Sequence, residues 1–166
     1  RAGVVGRLTV VDVPGFFSVL RNPFASASGM GSLAEHSRRN YFEKSGKSLE
    51  EDLKRSSEKL VTAPENLPRV LRWGMESDRA TTADVMAEVM VTDLRQDMAR
   101  IEAPVDVIYA WDKAGHATKV GLEQAYGSSY SGLKQVRRLR IDQARHYVML
   151  DQPEIFYHTV RDWLAR

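Results

Sequence analysis

The run Arg145-His-Tyr-Val-Met-Leu-Asp-Gln-Pro153 holds a histidine between two elements whose types are legible on their own. Before it, Val136-Arg-Arg-Leu-Arg-Ile141 alternates in the manner of a strand. After it, Asp151-Gln-Pro153 opens a terminal helix with proline in its first turn, and Ile155, Phe156, Thr159, Val160 and Trp163 share one face. A histidine in a loop that joins a strand to a helix is free of the ladder and able to meet residues from other loops.

Working backward, Ala103-Pro104 is followed by Val-Asp-Val-Ile-Tyr-Ala, a strand, and then by a helix from about Ala117 to Tyr130. At the other end of the chain, residues 4 to 13 include the β-branched run Leu8 to Val11, stopped by Pro14-Gly15. That run is apolar on both faces apart from Thr9, which predicts a central parallel strand. Ala25-Ser-Ala-Ser-Gly-Met-Gly-Ser32 reads as a flexible linker. From about Gly31 to Ile101 the periodicity is helical throughout, four or five short helices with no strand. Ser48 and Glu51 have capping-box spacing, Pro64 suits a first helical turn, and Ser77-Asp78 and Thr81-Thr82 punctuate the run. The predicted order is strand, helical block, strand, helix, strand, helix: an α/β chain without internal repeats.

This order, with its punctuation, resembles the α/β-hydrolase family from the sixth strand to the C-terminus. Arg145-His-Tyr-Val-Met-Leu-Asp-Gln-Pro153 is similar to the family's Gly-His-Phe-x-x-x-Glu-x-Pro pattern around its catalytic histidine. The resemblance implies a partial α/β-hydrolase fold, three parallel strands with flanking helices plus a helical lid. Residues 1–13 would form the sixth core strand, 14–100 the lid, and 101–166 the last core strands and helices. The family orders its triad as nucleophile, acid, histidine. Carried over, His146 falls on the general base, a task that imidazole performs well because it titrates near neutrality.

Asp112, ending the predicted strand at 105–110, falls on the triad acid that fixes the histidine tautomer. Here the chain departs from the usual Gly-x-x-Asp form, since Ala110-Trp-Asp-Lys113 sets the carboxylate one residue early. Asp12 is the alternative acid, because some relatives carry that group after the sixth strand; capping of the Pro14-Gly15 turn is its structural alternative. Trp73, Met86, Met90, Trp111 and His116 are candidate walls of a substrate pocket, helix packing being the competing explanation for the methionines.

The 166 residues contain no Gly-x-Ser-x-Gly, so the nucleophile elbow and oxyanion donors of such a site are not among them. The resemblance expects them from a missing N-terminal half, and Arg1 in place of an initiating Met accords with that. The same argument leaves one side of Leu8–Val11 without a neighbour, a ladder edge to be covered by that half or by a second copy of the chain. The expected partner besides that is a small-molecule ester, amide or related substrate, with no cofactor and no metal. Esterases, lactonases, carbon–carbon hydrolases, dehalogenases and peroxidases share such lids, so the subclass stays open. The alternative function is a non-catalytic interaction or dimerisation module built on the same elements.

Bulk properties agree with a packed domain and narrow the partners. Hydrophobic residues make up 43% and charged residues 28%. With 24 basic and 22 acidic side chains the formal charge is +2, which implies no nucleic-acid partner, and the clusters Arg38-Arg39 and Arg137-Arg138 with Arg140 read as solvated faces. Cysteine is absent, excluding thiolate nucleophiles and disulfides while leaving the compartment open, the cytoplasm being favoured over the periplasm. No apolar run is long enough to suggest a membrane span.

Overall fold

A computed structural model describes residues 4–114 and 118–165. Its sheet has three parallel strands, β1 (Leu8–Val11), β2 (Val105–Trp111) and β3 (Val136–Asp142), in the order β1-β2-β3. Leu8 pairs with Val105 and Val11 with Ile108, while Val105 pairs with Val136 and Trp111 with Asp142. Parallel pairing brings the C-terminal ends of all three strands to one edge, and there the loops at Asp12, Asp112 and His146 emerge.

β2 is buried from Val105 to Ala110 because helices cover both faces. On one face Val105, Val107 and Tyr109 pack with Tyr126, Tyr130 and Leu133 beneath α5 (Lys119–Ser129). On the other, Ile108 and Ala110 pack with Val148, Phe156 and Trp163 of α6 (Val148–Asp151) and α7 (Pro153–Leu164). β1 joins both layers, Val10 to the first and Val11 to the second.

The sheet leaves β1 at its edge, as the resemblance implied for this chain. Leu8–Val11 reads as a central strand, yet among the described residues it pairs with β2 alone and keeps partial exposure along its length. Its apolar composition belongs to a strand flanked on both sides, and one flank is missing from the described sheet.

Between β1 and β2 run four helices: α1 (Ala27–Glu43), α2 (Gly46–Ser57), α3 (Leu67–Glu76) and α4 (Arg79–Val91). α1 packs along α4, and α2 against α3, where Gly74 admits Leu53. The supposed linker at 25–32 is mostly helix. The Ser26 hydroxyl accepts from the Gly29 amide at 3.2 Å and starts α1 at once, so two glycines sit inside a helix that tertiary packing sustains. α2 starts ahead of the Ser48 capping box, with Gly46 in the left-handed region at φ 52° and the Ser48 hydroxyl bonded back to Ser45. Pro64 leads a 3-10 turn, and Asp78 caps α4 through the Thr81 amide at 2.8 Å.

The two ends of the helical segment are tied to each other. The Leu94 amide donates to the Gly15 carbonyl at 2.9 Å, and Phe16 bridges Asp93. Gly15 is obligatory here, since a Cβ would stand 2.8 Å from both the Ser129 carbonyl oxygen and the Met98 methyl. A polar device fastens the opposite end of the sheet. Asp106, almost fully buried in β2, takes Arg137 in two bonds of 2.6 and 2.9 Å and Arg7 at 2.9 Å. Burial pushes its carboxyl up, but the two guanidiniums outweigh burial and hold it below the ordinary range. In the predicted clusters Arg38 also pairs with Asp84, Arg39 with Glu35, and Arg140 with Glu123 and Asp142.

Gly15→Ala is expected to lower stability by about 1–3 kcal/mol, because the Ser129 backbone must move, and urea unfolding measures it. Asp106→Asn is expected to cost about 2 kcal/mol at neutral pH. Because the Asp106 pKa is depressed, that contribution is present above its unfolded-state pKa and disappears as pH falls through the folded one. Unfolding curves of variant and wild type are therefore separated at pH 7 and draw together only as pH falls below the ordinary carboxylate range.

Candidate active site

His146 follows β3 and Asp12 follows β1, strands that are not neighbours, yet the two side chains meet. His146 Nδ1 lies 3.1 Å from Asp12 Oδ2. Asp12 reaches it from a strained backbone, with φ at 52° and its amide donating to the Ile108 carbonyl at 2.7 Å. Its second oxygen, Oδ1, accepts the Ala110 amide at 2.9 Å and the Tyr126 hydroxyl at 3.1 Å. The carboxylate is therefore oriented by β2 and α5 before it meets the ring. The imidazole is 44% exposed, so its far side is open to another molecule or segment.

Tyr126 is buried and stacks on Tyr109 with centroids 4.5 Å apart. Burial first, then the Asp12 charge, pushes its phenol far above the ordinary tyrosine range, so it stays protonated and remains a donor to Asp12. Burial also pushes Tyr130 up to about 12, and its hydroxyl donates to the Val13 carbonyl just after the acid. Neither tyrosine stands out in the sequence as a site residue. Their only signal is a four-residue helical spacing, which packing alone explains.

The expected contact between Asp112 and His146 is corrected. Asp112 Oδ2 instead accepts Arg145 Nε at 3.0 Å and Nη2 at 2.8 Å. With its carboxylate set one residue early, the loop turns Asp112 to the residue before the histidine, and the alternative acid Asp12 stands at the ring. Asp12 also caps its turn less than expected, because both of its oxygens are engaged across the sheet edge.

The candidate pocket residues separate. Trp73 meets Tyr147 edge-on at 5.6 Å, and Tyr147 in turn meets the His146 ring at 5.4 Å, so Trp73 lies one ring removed from His146. Trp111 ends β2 next to Asp112, with the Lys119 ammonium 4.3 Å above its ring. Met90 is buried in the helical segment, where its carbonyl accepts the Ser18 hydroxyl at 2.7 Å; packing accounts for it. Met86 is exposed on α4. His116 lies outside the described residues. A cavity of about 230 Å³ lined by Arg7, Asp106 and Arg137 opens at the N-terminal ends of the strands, away from His146. No cluster of metal-ligating side chains occurs among the described residues, and no described helix is long and apolar enough to cross a membrane.

No protein-family model and no curated protein sequence matches the chain. Solved structures do. A hydrolase from Pseudomonas aeruginosa PA01 superposes with a TM-score of 0.73 at 19% identity, covering 96% of this chain and 56% of its own. A thermophilic esterase from Thermogutta terrifontis gives 0.72 at 12% identity, with 96% and 56% covered. The enol-lactonase from Burkholderia xenovorans LB400 gives 0.68 at 17%, with 98% and 57% covered. The fold of this chain is thus the C-terminal portion of the α/β-hydrolase fold, and the chain spans a little over half the length of these structures.

An alkaline titration read at 295 nm tests the tyrosine pair. Tyr126→Phe is expected to leave the absorbance change through the ordinary tyrosine range unaltered, because the native Tyr126 does not ionise there. Stability from the two neutral phenols is present below their unfolded pKa near pH 10 and is lost as pH rises past it, so thermal unfolding above about pH 10 occurs at falling temperature.

Proposed function

Starting from the α/β-hydrolase fold of this chain, we propose that it supplies the acid–base part of a serine-type hydrolase acting on a small-molecule ester, amide or related substrate. His146 is the general base and Asp12 the acid that orients it. The carrying observation is the 3.1 Å contact between Nδ1 and Asp12 Oδ2 on an imidazole whose other side is open.

The chemistry follows from that contact. With its Nδ1–H donated to Asp12, the ring keeps the tautomer whose Nε2 lone pair faces outward. Nε2 then takes the proton of an attacking hydroxyl and returns it to the leaving group, while Asp12 stabilises the imidazolium in between. Ala110 N–H and Tyr126 O–H hold Asp12 Oδ1, so the acid has one free oxygen and one direction in which to use it. The nucleophile and the oxyanion donors are contributed from outside these residues, by a segment that also covers the free side of β1. Residues 14–100 act as a lid above the base, with Trp73 part of its lining.

A fluorophosphonate probe, which reacts only with activated serine, tests this reading. The 166-residue chain alone is expected to stay unlabelled. The natural polypeptide that carries these residues is expected to be labelled on a serine outside them. Asp12→Asn slows labelling by about 10⁴-fold, as loss of the orienting acid does, and His146→Ala at least as much. Labelling of the isolated chain, or labelling indifferent to His146, overturns the assignment.

A further inference from the structure

Asp112 and Arg145 leave a question that the base and its acid do not answer: what a partly buried ion pair does immediately beside the histidine without touching it. Arg145 spends its donors in two directions. Nε and Nη2 go to Asp112 at the end of β2, and Nη1 goes to the carbonyls of Glu58 and of Val61, the latter at 3.1 Å, just past the C-terminus of α2. A guanidinium suits that place, since helix C-terminal carbonyls carry partial negative charge and the rigid fork meets several acceptors at once.

The backbone around it is tied to the same segment. Tyr147 N–H donates to the Leu60 carbonyl at 3.0 Å. Arg145 N–H donates to Asp151 Oδ2 at 2.8 Å, and that carboxylate also accepts the Thr62 amide at 2.8 and 3.0 Å and the Ala63 amide at 3.4 Å. Asn66 adds a bond to the Leu150 carbonyl at 3.2 Å. Both neighbours of His146 are therefore held by residues 58–63, while the His146 side chain alone turns to Asp12.

We propose that Asp112 and Arg145 form a clamp tying residues 58–61 to the loop of His146, and that both are positioning residues keeping the imidazole on Asp12; their catalytic relevance rests on His146 being the base. Asp112 then serves the site through Arg145 and never by contact with the ring. The clamp also couples the helical segment to the base. If residues 58–63 lift away, the backbone on either side of His146 loses its partners and the ring its fixed approach to Asp12.

Two readouts on the natural polypeptide test this, neither of which depends on turnover: amide exchange at Thr62 and Tyr147, and the imidazole nitrogen shifts of His146, which report its tautomer. Arg145→Ala is expected to speed exchange at both amides by about tenfold, as loss of charge-assisted bonds does, and to move His146 from the Nδ1–H tautomer toward the Nε2–H form favoured in water. Asp112→Asn gives the same changes to a smaller degree, and it decides the matter if Arg145→Ala does not fold. Arg145→Lys rescues only part, having no fork for several acceptors. Asp12→Asn is expected to shift the tautomer while leaving exchange at Thr62 and Tyr147 as in wild type. That contrast separates the clamp from the acid, and probe labelling separates both from failure of the hydrolase reading. A folded Asp112→Asn or Arg145→Ala variant with either readout at its wild-type value overturns the proposal.

Discussion

The carboxylate of Asp12 is the point on which this architecture converges. It follows β1, accepts from the backbone of β2 and from a tyrosine of α5, and meets a histidine that follows β3. Four elements distant in sequence thus meet at one charged group on the sheet edge. A partly buried carboxylate is costly to leave without its partners, so it rewards one arrangement of the strands and penalises slippage. Its left-handed backbone is held by the same neighbours.

The parallel sheet makes this meeting possible. Helices on both faces bury β2, and the C-terminal ends of three parallel strands share an edge where loops alone need to be shaped. The opposite edge is closed by Asp106 with Arg7 and Arg137, a structural ion cluster whose carboxylate is as strongly committed as that of Asp12 but faces no open histidine. The two acids show how environment separates roles: one is surrounded by cations, the other by neutral donors and an imidazole.

The helical segment between β1 and β2 is joined to the core at two places with different chemistry. At Gly15 and Leu94 the joint is backbone packed too tightly for a side chain. At 58–66 it is polar, built on Asp151, Arg145 and Asn66, and it abuts the histidine loop. A polar joint of few bonds opens at lower cost than a packed one, which makes the second the place where movement of the segment would reach the His146 loop.

Strand and helix identity, and the histidine in its loop, were legible in the residues themselves. Period-two alternation at 136–141, the β-branched run at 105–110 and proline at 153 are local signals, and each states its element without reference to the rest. The start of α1 was not legible, because glycines at 29 and 31 argue locally against a helix that only its packing on α4 sustains. The residues of β1 alone carry no mark of its edge position, which only the family resemblance implied, since an apolar strand does not record which neighbour is present. Which of Asp12 and Asp112 meets His146 was beyond sequence for a similar reason. Both aspartates end strands, and spacing along the chain says nothing of which loop bends toward His146. Tertiary structure decided it by giving Asp112 an arginine and leaving Asp12, held by Ala110 and Tyr126, as the carboxylate facing the ring.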